Sequence, residues 1–289
     1  MKPLPSTPLV ALGLVLACSP LDRARAAAVL RSVGGDAAVA SITAMRDQLR
    51  VDLGGGTIAG ADGSFGGLRR EINWDGVPAA SDAPNLLPPD FFNTTSKRGV
   101  IFSTQGTGFE VSSATTDNGA GQPAPVKFGD INAAYSATFG VFSGQRIFTA
   151  RNSNIMDVTF FVPGTSTPTT VTGFGAVFTD VDFANATALQ FFDANNVSIG
   201  TPFFVPVGTV ANQSLSFLGV SFNAGERVGR VRIFTGNTAL SSTASENGGT
   251  DVVAIDDFIY SEPVPEPSAL LLSASALLLA LRRPARRRG

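Results

Sequence analysis

Histidine is absent from the 289 residues of the chain, and cysteine and tryptophan occur once each, as Cys18 and Trp74. Without imidazole, Ser-His-Asp and Cys-His catalysis are excluded, and so are zinc and iron centres built on histidine. Past Cys18 there is no thiol. The body therefore has no disulfide and must be held by an apolar core, by bound ions, or by both. A phosphate-binding loop is missing as well, because Gly60-Ala-Asp-Gly-Ser-Phe-Gly-Gly67 lacks the terminal Lys-Ser/Thr and the strand-to-helix context. Basic charge is scarce: residues 29–266 carry 13 Lys and Arg against 22 Asp and Glu, a net −9 that the whole-chain figure of −2 conceals. Such a surface excludes nucleic acid, whose phosphates require a basic face, and suits cations and neutral partners such as sugars.

What the chain has in abundance is phenylalanine, 22 residues, together with glycine and short runs of Val, Thr, Ile and Phe bounded by Gly, Asn, Asp or Pro. Runs at 99–104, 157–162, 171–179, 188–193, 215–222, 228–234 and 252–260 read as strands. They predict an all-β fold, an antiparallel β-sandwich of jelly-roll type, over residues 57–262. Ahead of it, residues 29–56 read as a helical segment. Val39, Ile42, Met45 and Leu49 share one helical face, and Gly54-Gly-Gly56 stops the helix. Leu86-Leu-Pro-Pro-Asp-Phe-Phe92 reads as an irregular loop over the core, since paired prolines do not fit a central strand.

Both ends carry targeting patterns. Lys2, the apolar stretch Leu9 to Cys18 and the small residues Ala24 to Ala28 have the layout of a secretory signal peptide over residues 1–28, cleaved after Ala26 or Ala28. Val15-Leu-Ala-Cys18 also resembles a lipoprotein box, which leaves lipidation of Cys18 as the alternative. At the other end come Val264, Pro265, Glu266, Pro267 and Ser268, then thirteen uncharged residues, then Arg282, Arg283, Arg286, Arg287 and Arg288. Pro267 suits a first helical turn, and Ala269 to Leu281 reads as a helix on the order of 20 Å long, short for a span that takes about 20 residues. The arginines act as a membrane stop on the cytoplasmic side.

This tail resembles the PEP-CTERM sorting signal of Gram-negative bacteria, a tail also labelled an ice-binding-protein C-terminal domain. The resemblance covers residues 263–289. It implies export, a transient inner-membrane intermediate, processing by an exosortase-like transpeptidase, and delivery to the outer surface or extracellular matrix among exopolysaccharide. Ice binding does not follow, because a regular Thr-x-Thr ladder is represented only by the short piece Thr167 to Thr172. The segment Ile72-Asn-Trp-Asp-Gly-Val77 followed by Leu87-Pro-Pro-Asp-Phe-Phe92 also looks like a recurring type of PEP-CTERM protein, one to which no activity attaches.

Two groups of residues are candidate binding sites. Asn73, Trp74 and Asp75 set an aromatic ring beside an amide and a carboxylate, as sugar recognition requires, although Trp74 serves equally as a core anchor beside an Asp-Gly turn. Asp180 and Asp182 alternate along an extended segment and Asp256 and Asp257 lie in the last strand, offering oxygen ligands for a structural Ca2+. Of enzyme chemistries, glycoside hydrolysis by two carboxylates survives the absence of histidine, with Glu110, Asp180, Asp182 and Glu226 available. Nothing in the sequence sets any two of them across a cleft, so no catalytic residue is assigned and a non-enzymatic role is expected. That role is a structural or exopolysaccharide-associated one, with a lectin-like carbohydrate-binding module as the alternative.

Overall fold

The structure, a computed structural model, describes residues 28–114, 126–246 and 248–265. The expected signal peptide up to Ala27, the expected sorting residues Glu266, Pro267 and Ser268, the apolar run after them and the terminal arginines expected to act as a stop lie outside the described residues. Along the chain come β1 (Ala28–Gly34), α1 (Ala40–Asp52), β2 (Ser64–Phe65), β3 (Arg69–Ile72), α2 (Phe91–Thr94), β4 (Val100–Thr104) and β5 (Gly108–Val111). Then follow α3 (Tyr135–Thr138), β6 (Phe148–Arg151), β7 (Ile155–Phe160), β8 (Gly173–Thr179) and β9 (Ala188–Phe192). The last are β10 (Phe203–Phe204), β11 (Leu215–Phe222), β12 (Arg230–Phe234) and β13 (Ala254–Ser261).

These strands make two antiparallel sheets. The larger runs β1-β11-β8-β13-β3-β2, with β6 paired to β13 and β5 to β6; the smaller runs β10-β9-β12-β7-β4. Alternation decides what each face does. Phe174, Ala176 and Phe178 of β8 and Leu218 and Val220 of β11 point inward and meet Phe102, Val158, Phe160, Phe191 and Ile233 of the smaller sheet in one apolar core. The outer face of the smaller sheet is polar: Arg230 and Arg232 of β12 both pair with Asp157 of β7, at 2.7 and 2.8 Å. Each of the seven runs read as strands from the sequence holds a strand, with ends that differ by up to two residues.

The outer face of the larger sheet is apolar and is covered by α1. Ile42, Leu49 and Leu53 pack on Val177, Leu215, Phe217 and Ile259. The close approach depends on Gly175 and Gly219, which face each other across β8 and β11. A Cβ on either would fall 2.5 or 2.6 Å from the Leu49 side chain. Residues 29–56, expected to be helical, differ in one respect: their first part is β1, zipped to β11 from Ala28↔Phe222 to Gly34↔Ser216. A third, smaller core lies under the connections, where Phe128, Tyr135, Phe139, Ile147, Leu240, Val252 and Ala254 meet. The Leu86–Phe92 segment behaves as a core cover: Leu87 makes a single bridge to Phe109, and Phe91 and Phe92 are buried in the one-turn α2. Among the described residues no helix is long and apolar enough to cross a membrane.

Candidate metal centre

β8 ends at Thr179, whose hydroxyl accepts the Gly140 N–H at 2.7 Å. Asp180 then takes a left-handed conformation, φ 69°, which turns the chain out of the sheet while its own N–H still reaches the Ser214 carbonyl at 2.9 Å. This turn sets Asp180 and Asp182 against Glu246, which arrives on the connection between β12 and β13. Carboxylate oxygens of the three lie within 4.8 Å of one another. Asp251 completes the surroundings, its Oδ1 accepting the Asp182 N–H at 3.2 Å.

The electrostatics of this group are unbalanced. Asp180 is 0% exposed, and among the described residues neither of its oxygens has a hydrogen-bond partner; Glu246 Oε1 and Asp251 Oδ2 are also buried without one. Burial, then the neighbouring Glu246, Asp182 and Asp251 carboxylates, pushes the Asp180 carboxyl up to about 10. Burial also raises Glu246 and Asp182, and lifts Asp251 to about 6. Carboxylates brought this close out of water need a positive charge between them, either a proton shared by Asp180 and Glu246 or a cation. The donors are all oxygen, which fits a hard divalent ion such as Ca2+ or Mg2+ rather than zinc. Asp180, Asp182 and Glu246 are thus residues that could hold a metal ion.

Two expectations are corrected here. Asp256 and Asp257 do not join Asp180 and Asp182. The β13 register shifts against β8 between Ile255 and Phe258, a bulge that opposes two residues to one. Both carboxylates consequently turn to the 142–143 loop. Asp256 Oδ2 accepts the Phe142 N–H at 2.6 Å and Asp257 Oδ1 accepts the Ser143 hydroxyl at 2.6 Å. Burial drives both carboxyls above their ordinary range. They fasten a loop.

Trp74 is not a sugar platform. Its ring is 1% exposed, stacked on Phe148 at 4.1 Å and met by the edges of Phe92 and Phe258. Its Nε1–H donates at 2.6 Å to the carbonyl of Asp256, within the bulge. Asp75 accepts the Gln145 N–H at 2.9 Å, leaving Asn73 as the exposed member of the trio. Of the three carboxylates that come together, the sequence offers two, Asp180 and Asp182. Glu246 sits in a Ser/Thr-rich stretch that reads as a solvent loop. Its signal is that it is the lone charged residue between Arg232 and Asp251.

Of the carboxylates available to glycoside hydrolysis, Glu110 is buried on β5 against Arg151, 2.7 Å away, and Asp130, and Asp180 belongs to the acidic group. Glu226 lies on a different connection, beyond β11. A groove of about 490 Å3 between Leu86–Pro89 and Phe102–Phe109 has apolar, hydroxyl and backbone walls and no titratable side chain. At the C-terminal end of the described chain, Val264 bridges Thr170 through two backbone hydrogen bonds of 3.0 and 3.1 Å. No protein-family model matches this sequence, and no curated protein matches it.

Proposed function

We propose that this chain is an exported, non-catalytic protein of a Gram-negative cell surface or extracellular matrix, its body a jelly-roll-like sandwich braced by a structural Ca2+. The ion sits between Asp180, Asp182 and Glu246. The observation that carries the cation is Asp180, fully buried, both its oxygens without a partner among the described residues, and grouped with two further carboxylates. Export and sorting rest on the resemblance of the two ends. The exosortase-like transpeptidase is the partner at Val264 to Ser268, the inner membrane is met in passing, and exopolysaccharide is the surrounding medium.

Location and ion support one another. A cysteine-free body outside the cell has no disulfide to stabilise it, and extracellular modules bind Ca2+ with constants on the order of 10⁻⁴–10⁻³ M. Calorimetric titration of the full chain tests the cation. One Ca2+ per chain is expected, with a melting temperature that rises with calcium and falls in EDTA. At ten times the dissociation constant the gain is about 1.4 kcal/mol. Asp180→Asn removes the binding. A chain that takes up neither Ca2+ nor Mg2+ overturns the reading. Cell fractionation tests the sorting: the intact chain is expected at the surface, shortened at its C-terminus, and replacing the terminal arginines retains it in the inner membrane.

A further inference from the structure

We propose that a divalent cation between Asp180, Asp182 and Glu246 is a clip that seats the 237–246 segment and, through it, the third core; this rests on the cation reading above. The segment has an apolar side and a polar one. Leu240 is buried and Ala244 packs beside it on the core of Phe128, Tyr135, Phe139 and Val252. The Tyr135 hydroxyl lies 3.0 Å from the carbonyl oxygens of both Ser241 and Ala244 and accepts the Ser241 N–H at 3.1 Å. Asn132 Nδ2 donates to the same Ala244 carbonyl at 3.1 Å.

Glu246 closes this stretch, and its carboxylate faces the turn that ends β8. Among the described residues nothing donates to Asp180 Oδ1, Asp180 Oδ2 or Glu246 Oε1, so unless a proton or a cation lies between the two carboxylates they repel, and this end of the segment is pushed away from the turn rather than held to it. A cation reverses the sign of that contact. It ties the end of β8, in the larger sheet, to the connection leaving β12, in the smaller one. The tie then runs through Ser241 and Ala244 to Tyr135, on α3. Coupling of this kind is reciprocal: whatever seats the segment also tightens the cation.

Hydrogen exchange of the full chain, in millimolar calcium and in EDTA, tests the clip. Amides of 237–246 and of 132–139 are expected to slow at least about tenfold with calcium. Those of β11 stay unchanged, and Glu246→Gln abolishes the difference. Should Glu246→Gln fail to fold, Tyr135→Phe removes the opposite anchor without touching a carboxylate. It is expected to weaken calcium binding by about fivefold. Calcium that binds by calorimetry yet leaves exchange at 237–246 unchanged, or an unaltered affinity in Tyr135→Phe, overturns the clip and leaves the cation reading standing. If calcium does not bind at all, both fall.

Discussion

Trp74 is held at both ends of its indole, by ring stacking on Phe148 and by a hydrogen bond from Nε1 to the Asp256 carbonyl. The bulge in β13 creates the need for that bond, because residues inserted into a ladder leave backbone groups without their strand partner. Trp74→Phe keeps most of the apolar contact and orphans the carbonyl. It is expected to cost about 1–3 kcal/mol in urea unfolding, and Trp74→Ala about 3–5 kcal/mol. The indole fluorescence should be resistant to acrylamide. At Asp180 the expectation has the opposite sign. Asp180→Asn puts a neutral amide where burial and the neighbouring carboxylates keep the carboxyl protonated when no cation is bound, so in EDTA the variant unfolds at the same or a higher temperature than the wild type, while its response to calcium disappears. The sequence left Trp74 open between core and ligand because both roles want the same ring. What decides it is the bulge, and a bulge depends on the register of a partner strand nearly 80 residues away in the chain.

At the scale of elements, the docking of α1 is a packing problem solved by two glycines. Gly175 and Gly219 leave a hollow in the outer face of the larger sheet, and Leu49 fills it. Gly175→Ala puts a methyl 2.5 Å from Leu49 Cδ2. The expected loss is about 1–3 kcal/mol in chemical denaturation. Combining it with Leu49→Ala should cost less than the two single losses together, since the clash is then gone. The helix itself was legible from the spacing of Val39, Ile42, Met45 and Leu49, and it spans Ala40–Asp52. So were the long strands with clean runs of Val, Ile and Phe. β1 was not: Ala-Val-Leu-Arg-Ser-Val-Gly follows a row of alanines suited to signal cleavage, and only its pairing with β11 makes it a strand. β5 and β6 are four residues each, too short for alternation to show.

Over the whole molecule, acidic groups are taken out of water in several places, and this sets how stability responds to pH. Glu110 is 1% exposed; burial, with Asp130 beside it, lifts its carboxyl from 4.5 to about 8. The folded chain therefore keeps a proton that the unfolded chain releases. Between about pH 4.5 and pH 8 the folded state binds more protons, so this group lowers stability as pH rises, by up to about 1.4 kcal/mol per unit, and adds nothing further above pH 8. Glu110→Gln mimics the protonated form and is expected to flatten that part of the profile, measured by urea unfolding at a series of pH values. The acidic centre was half legible. Asp180 and Asp182 announce themselves by spacing, but Glu246 comes from a stretch whose hydroxyls read as solvent, Asp251 carries no signal of its own, and Asp256 and Asp257 looked like better ligands than they are. Chain topology, not local pattern, brings the β12–β13 connection to the end of β8.

The most direct measurement is a crystal structure of the protein grown with calcium. A single ion within about 2.3–2.6 Å of oxygens from Asp180, Asp182 and Glu246 is the predicted result. A short hydrogen bond between Asp180 and Glu246, with no ion beside them at millimolar calcium, would contradict it: a shared proton would then balance the site, and the brace proposed for this sandwich would not exist.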